Sequence, residues 1–170
     1  MDQPAYRLAV EVCNATSDKL QRHVCQYFTD IIVQHSQNED FDQVQDAHEL
    51  IKRLNHSCPN LLHNVVPQLE EELRVDEIQL RQMATQVLGE MFADNAGGDL
   101  EKKYPSTWSL WLDRKNDKSA PVRLAFVEGC KGLLQHHRSD LRENIECELP
   151  NKLPHLIEHD VITSFILQPR

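Results

Sequence analysis

Between residues 61 and 134 a pattern of apolar and polar positions occurs twice. In the first copy Leu61, Leu62, Val65, Val66, Leu69 and Leu73 stand one, three and four apart, so a helix there buries one face. Pro67 lies inside the run, lacks an amide proton and crowds the carbonyl of His63, which predicts a bent helix. A second helix follows with Ile78, Met83, Ala84, Val87, Leu88 and Met91 on its buried face. In the second copy Trp108, Trp111 and Leu112 share one face of a short helix and read as core anchors. Each copy also carries an Asp in its turn and an apolar–Arg pair just after it. These are Asp76 with Leu80-Arg81 and Asp117 with Val122-Arg123, so the Asp residues are 41 apart and the Arg residues 42.

A helix–turn–helix repeat of that length belongs to the HEAT/armadillo class of solenoids. One hairpin cannot cover its own apolar side and must stack on neighbours. The chain is therefore expected to be all-α, an α-solenoid of about four HEAT-type hairpins within a longer superhelix. The expected units are an unpaired second helix over 4–15, then repeats over 18–57, 60–93, 105–137 and 139–167. Asp76 and Asp117 are expected to cap the helices that follow them. Arg81 and Arg123 would each reach an Asp of the next repeat, making a structural ladder.

The flanking regions extend the same pattern. Ala5, Leu8, Ala9, Val12 and Cys13 are expected to face inward from the first helix, and Leu20, Val24, Phe28, Ile31 and Ile32 from a second, over 18–34. The polar run 35–40 reads as a loop, and Val44, Ala47, Leu50, Ile51 and Leu54 mark the next helix. Residues 93–105, with Asp94-Asn95 and Gly97-Gly98, read as a flexible connection. Near the end Leu141, Ile145 and Leu149, then Leu156, Val161, Ile162, Phe165 and Ile166, mark further apolar faces. A solenoid needs polar end repeats, and neither end shows one, so the chain reads as a piece of a longer protein.

Charge narrows the function classes. With 27 acidic and 18 basic side chains the net charge is −9, which argues against nucleic-acid or membrane-surface binding by the segment as a whole. A local basic patch stays open: Lys102 and Lys103 precede the Trp helix, and Arg114, Lys115, Lys118 and Arg123 follow it. Brought together, they would suit an inositol polyphosphate or DNA phosphates. The start MDQPAYRLAV lacks the basic-then-apolar order of a secretory signal, and no apolar run approaches a membrane span. Cys13, Cys25, Cys58, Cys130 and Cys147 are odd in number and lack CxxC spacing, so they read as reduced core thiols of an intracellular protein.

Catalytic signatures are missing: there is no nucleophile elbow, phosphate-binding glycine loop or dinucleotide fingerprint. Glu70-Glu71-Glu72 reads as a solvated face. His136 and His137 would point about 100° apart on a helix, and His155 and His159 lack a HExxH pattern. No metal, cofactor or enzymatic activity is expected, and partner-binding residues cannot be named from spacing. The alternatives are a HEAT scaffold of some other complex, in transport or phosphatase regulation, and a segment with a basic anion site.

Specific stretches carry a resemblance. Ala47-His48-Glu49-Leu50-Ile51, Pro59-Asn60-Leu61-Leu62 and Val65-Val66-Pro67-Gln68-Leu69 resemble the amino-terminal HEAT region of the precocious-dissociation-of-sisters family. Leu80-Arg81, the Trp108 helix, Pro121-Val122-Arg123-Leu124, His159-Asp160-Val161-Ile162 and Tyr6-Arg7-Leu8-Ala9 fit in the same order. The resemblance implies a nuclear, chromosome-bound regulator of sister chromatid cohesion that rides on cohesin. It implies as partners the kleisin and associated cohesin subunits, a Wapl-type release factor and the cohesin acetyltransferase. Glu158 departs from the family's tendency to Arg before His-Asp-Val, which puts the ladder in doubt there.

Overall fold

Helices account for every regular element among the described residues, which are 3–38, 41–94 and 99–135 of a computed structural model. They are α1 (Pro4–Ala15), α2 (Ser17–Asn38), α3 (Phe41–Ser57), α4 (Val66–Glu72), α5 (Ile78–Ala93), α6 (Leu100–Lys103), α7 (Pro105–Asp113) and α8 (Ala120–Gln135). Two short 3-10 turns, Pro59–Leu62 and Arg114–Asn116, complete the path. One layer holds α2, then the Pro59–Leu62 turn with α4, then α7; the other holds α3, α5 and α8 side by side. This is an all-α, two-layer stack of the HEAT type, with the core between the layers.

The six apolar positions from Leu61 to Leu73 are all buried, yet they do not form one bent helix. The chain makes a 3-10 turn, swings through 63–65, and starts afresh at α4 with Pro67 in the first turn. There a missing amide proton costs nothing, because the first-turn amides have no intrahelical acceptor. Further differences follow the same logic of local context. The polar run 35–38 continues α2 instead of forming a loop, since no Gly or Pro stops it. Residues 100–103 form α6, which buries Leu100 and Glu101, where a flexible connection was expected.

Burial departs from the apolar pattern wherever a neighbour is lacking. No residue of α1 is buried; Leu8 is 63% and Val12 52% exposed, because α1 meets the rest of the stack chiefly at α2 and the Pro59–Leu62 turn. Ile78 and Leu50 are also exposed, although the spacing places them inward. Cys58 and Cys130 are core thiols, burial pushing Cys130 up to about 12, whereas Cys13 and Cys25 are only half-buried. The expected repeat over 139–167, with Cys147, His155, Glu158 and His159, lies outside the described residues, as do His136 and His137.

The tightest packing is where α5 crosses α8. A Cβ on Gly89 would stand 2.8 Å from the Gly129 Cα, and one on Gly129 would stand 2.7 Å from the Trp111 ring. Two glycines thus let the backbones close over the indole, whose Nε1 donates to the Thr85 carbonyl at 2.9 Å. Phe126 lies 4.7 Å from the Trp111 ring, and Trp108 stacks on it at 5.3 Å.

Candidate protein-interaction surface

A charged joint ties the end of α5's first turns to the loop before α8. Arg81 donates from Nε to Asp117 Oδ2 at 2.9 Å and from Nη2 to Oδ1 at 3.0 Å, a two-pronged pair with little exposure. Its Nη1 donates to the Val75 carbonyl at 2.7 Å. Asp117 also accepts from Arg114 Nη1 at 3.0 Å and from the Ser119 amide at 2.9 Å. Burial alone would raise its pKa. The hydrogen bonds from Arg81 and Ser119, with the charges of Arg81 and Arg114, outweigh that and hold the carboxyl below its ordinary value.

The other positions of the expected ladder sit differently. Arg123 Nη1 donates to the backbone carbonyls of Asp117 at 2.7 Å and Lys118 at 3.1 Å. Asp76 is exposed; α5 begins after Glu77, and no side chain caps it. Asp76 acts on Arg81 only through its charge.

The basic residues of the candidate anion patch are divided by α7. Lys102 and Lys103 end α6 before it, while Arg114, Lys115 and Lys118 follow it. Nine residues of helix put about 13 Å between the groups. Arg114, with Lys118, borders a hollow of about 480 Å³ beside Asp76 and Asp117. Its guanidinium is already committed to the carbonyls of Leu73 and Leu110 and to Asp117. Arg81 is committed to Asp117, so most positive charge in that hollow is answered within the chain.

Two polar joints escape a reading based on apolar spacing. His48 is buried in α3, its Nδ1 donating to the Val44 carbonyl at 2.7 Å and its Nε2 lying 2.7 Å from Glu72 Oε2 in α4. Burial lowers the imidazole's pKa and so does Lys52, but the bond to Glu72, that carboxylate's charge and the Val44 carbonyl raise it further. Glu70 accepts from Thr107, Ser106 and Arg74, and the Thr107 bond leads in holding it below its usual range. Glu70 and Glu72 therefore do not belong to a solvated face; of the three, only Glu71 is exposed. The available signal was positional: His48 falls four after Val44 and three before Ile51, and Glu72 three after Leu69.

On the outer side of the α3, α5 and α8 layer lies a groove of about 440 Å³. Among the described residues no group of three or more His, Cys, Asp or Glu can hold a metal ion, and no helix is long and apolar enough to cross a membrane.

Known proteins place this architecture. A solved structure of a Pds5–Scc1 complex shares the fold with a TM-score of 0.72 and 21% identity, over 88% of this chain and 22% of that one. The sister chromatid cohesion protein pds5 of Schizosaccharomyces pombe is 35% identical over 161 residues, 88% of this chain and 13% of that protein. The PDS5 homolog B of Homo sapiens is 25% identical over 169 residues, 98% of this chain and 12% of that protein. This chain thus spans roughly an eighth of those relatives. The family model for sister chromatid cohesion protein PDS5 matches residues 1–155. With nine-tenths of its length matched, the chain belongs to the PDS5 family of sister chromatid cohesion proteins.

Proposed function

We propose that this segment is a non-catalytic, partner-binding part of a cohesin-associated regulator of sister chromatid cohesion, acting on chromosomes in the nucleus. The match of the PDS5 family model across residues 1–155 carries the reading. The fold suits it, since stacked helices joined by buried polar clasps make a stiff support along which an extended partner can lie. Cohesin's kleisin subunit is the first partner, supported by the solved neighbour being a Pds5–Scc1 complex. A Wapl-type release factor and the cohesin acetyltransferase are further partners on the family resemblance.

Titration of the chain with labelled kleisin, associated cohesin subunits or Wapl tests this, read by partner anisotropy and by Trp108 emission. Trp108 is half-buried and so senses the surface, whereas Trp111 is sealed. Saturable binding that survives moderate salt is expected. A helical, monomeric chain that binds none of them is a spacer holding the flanking parts of the protein apart.

A further inference from the structure

We infer that Cys13 of α1 and Cys58, at the junction of α3 and the Pro59–Leu62 turn, are a site of reversible oxidation, closing to a disulfide that pins α1 to the stack. They stand 45 positions apart in the chain, yet the fold brings them together. On α1, Tyr6, Val10 and Cys13 are four and three apart and so share a face. That face meets the end of α3: the Tyr6 hydroxyl lies 2.6 Å from Ser57 Oγ, and Cys58 Sγ lies 3.9 Å from the Val10 carbonyl oxygen. Cys13, one turn beyond Val10, is in hydrogen-bond contact with the Cys58 thiol. Val10 and Cys13 are also the only residues of α1 that are not exposed, so the helix is held to the stack at this place.

The two thiols differ in access. Cys13 is half-buried and reaches solvent, whereas Cys58 is 2% exposed. Burial, with Cys13 alongside, pushes the Cys58 thiol above its ordinary value. An oxidant of the peroxide class therefore meets Cys13 first. The Cys13 thiolate attacks one oxygen of hydrogen peroxide, the O–O bond breaks, and hydroxide leaves and takes up the proton that Cys13 lost. Cys58 then attacks the sulfur of the resulting sulfenic acid. The S–S bond forms, the S–O bond breaks, and the Cys58 proton departs with that hydroxyl as water. Two thiols and one peroxide become one disulfide and two waters, and exchange with a small thiol reverses it. The final bond, about 2.05 Å long, needs the sulfurs closer than two thiols in contact. α1 can supply that approach because it buries no residue. The other described cysteines are placed apart from the pair: Cys25 donates to the Asn64 carbonyl at 3.2 Å, and Cys130 lies in the core.

The test treats the reduced 170-residue chain with graded hydrogen peroxide, then alkylates it and maps its peptides by mass without reductant. A linked peptide pair holding Cys13 and Cys58 is expected, cleaved by dithiothreitol, with Cys25 and Cys130 still alkylated. The amides of α1 should then exchange with solvent about tenfold more slowly, those of α5 staying unchanged. Cys58→Ala should leave Cys13 as a sulfenic acid that dimedone captures, and Cys13→Ser should leave Cys58 a free thiol. In neither variant should peroxide slow α1. Cys13→Ser changes a half-buried position, so the comparison stands even where Cys58→Ala loosens the turn. An absent Cys13–Cys58 pair, equal yield of a pair with Cys25, or a link between two chains would overturn the site. A linked pair with α1 exchange unchanged would overturn the pinning of the helix.

Discussion

The two seams of this stack are closed by different means. Where α5 meets α8, the backbones touch through Gly89 and Gly129 and an indole fills the space behind them. Where α3 meets α4, the contact runs through buried His48 and Glu72, which lie 2.7 Å apart. The first seam gains stability from close packing, which is insensitive to pH. Part of the second seam's cohesion depends on protonation. One stack thus closes neighbouring contacts by close packing in one place and by a titratable pair in another.

The strongest way to break the contrast is at Trp111. Replacing it by Ala removes the wedge of the tight seam and should cost about 3–5 kcal/mol, read as a lower denaturant midpoint at unchanged slope. A loss below about 1 kcal/mol would mean that α5 and α8 collapse onto each other without it, and the seam would not be indole-dependent. Next in size is Asp117→Asn, which leaves Arg81 and Arg114 facing a neutral amide. A buried pair broken on one side costs about 3 kcal/mol. Its pH signature has a fixed sign. The folded-state pKa of Asp117 is depressed below 3.8, so its contribution is complete above that value and fades as pH falls through the folded one. Wild type and Asn variant should therefore converge in acid, and a gap that stays constant below pH 3.8 would show that charge is not what Asp117 supplies.

How much of this was legible beforehand depends on what kind of neighbour each residue needs. Leu61 to Leu73 read correctly as a buried face, since apolar spacing reports burial whether or not the helix is continuous. Where the chain would restart around Pro67 was not legible, because a proline fits the interior of a bent helix and the first turn of a new one equally on paper. The 41-residue offset placed Asp117 in the joint, but not Arg114, which lies at a helix end and belongs to no period. His48 and Glu72 were missed because periodicity counts only apolar residues, while a polar pair can occupy the same face once each satisfies the other. The groove is a gap between three helices. No local pattern distinguishes Gly132, which has space for a Cβ, from Gly129, which packing requires.

That distinction between glycines makes a sharper, smaller test. Gly129→Ala should destabilise by about 1–2 kcal/mol, the overpacking against Trp111 and Gly89 exceeding what alanine gains in a helix. Gly132→Ala should be neutral or stabilise by up to about 1 kcal/mol, since its Cβ finds ordinary contact and the unfolded chain loses freedom. Equal effects at the two sites would show that close approach at Gly129 is not what sets its cost.

The mildest prediction concerns the contact of α3 with α4 and appears only as a slope. His48 must keep a proton on Nδ1, because it faces the Val44 carbonyl, so Nε2 can donate to Glu72 only when the ring is charged. Its folded-state pKa is raised above 6.5, so the stabilisation is fully present below 6.5 and is lost as pH rises through the higher folded value. Lys52 opposes the charge, while Glu72 and the Val44 carbonyl favour it. In alkali a neutral ring would turn a lone pair toward a carboxylate, and α3 would loosen from α4. The stability of wild type should then decline across this window relative to His48→Gln, whose amide does not titrate. A parallel pair of curves would place the shared proton on Glu72 throughout, and the nitrogen shifts of His48 would then report a neutral ring at every pH. The decline is confined to the contact of α3 with α4, so Trp111, sealed in the other seam, should keep its emission through it.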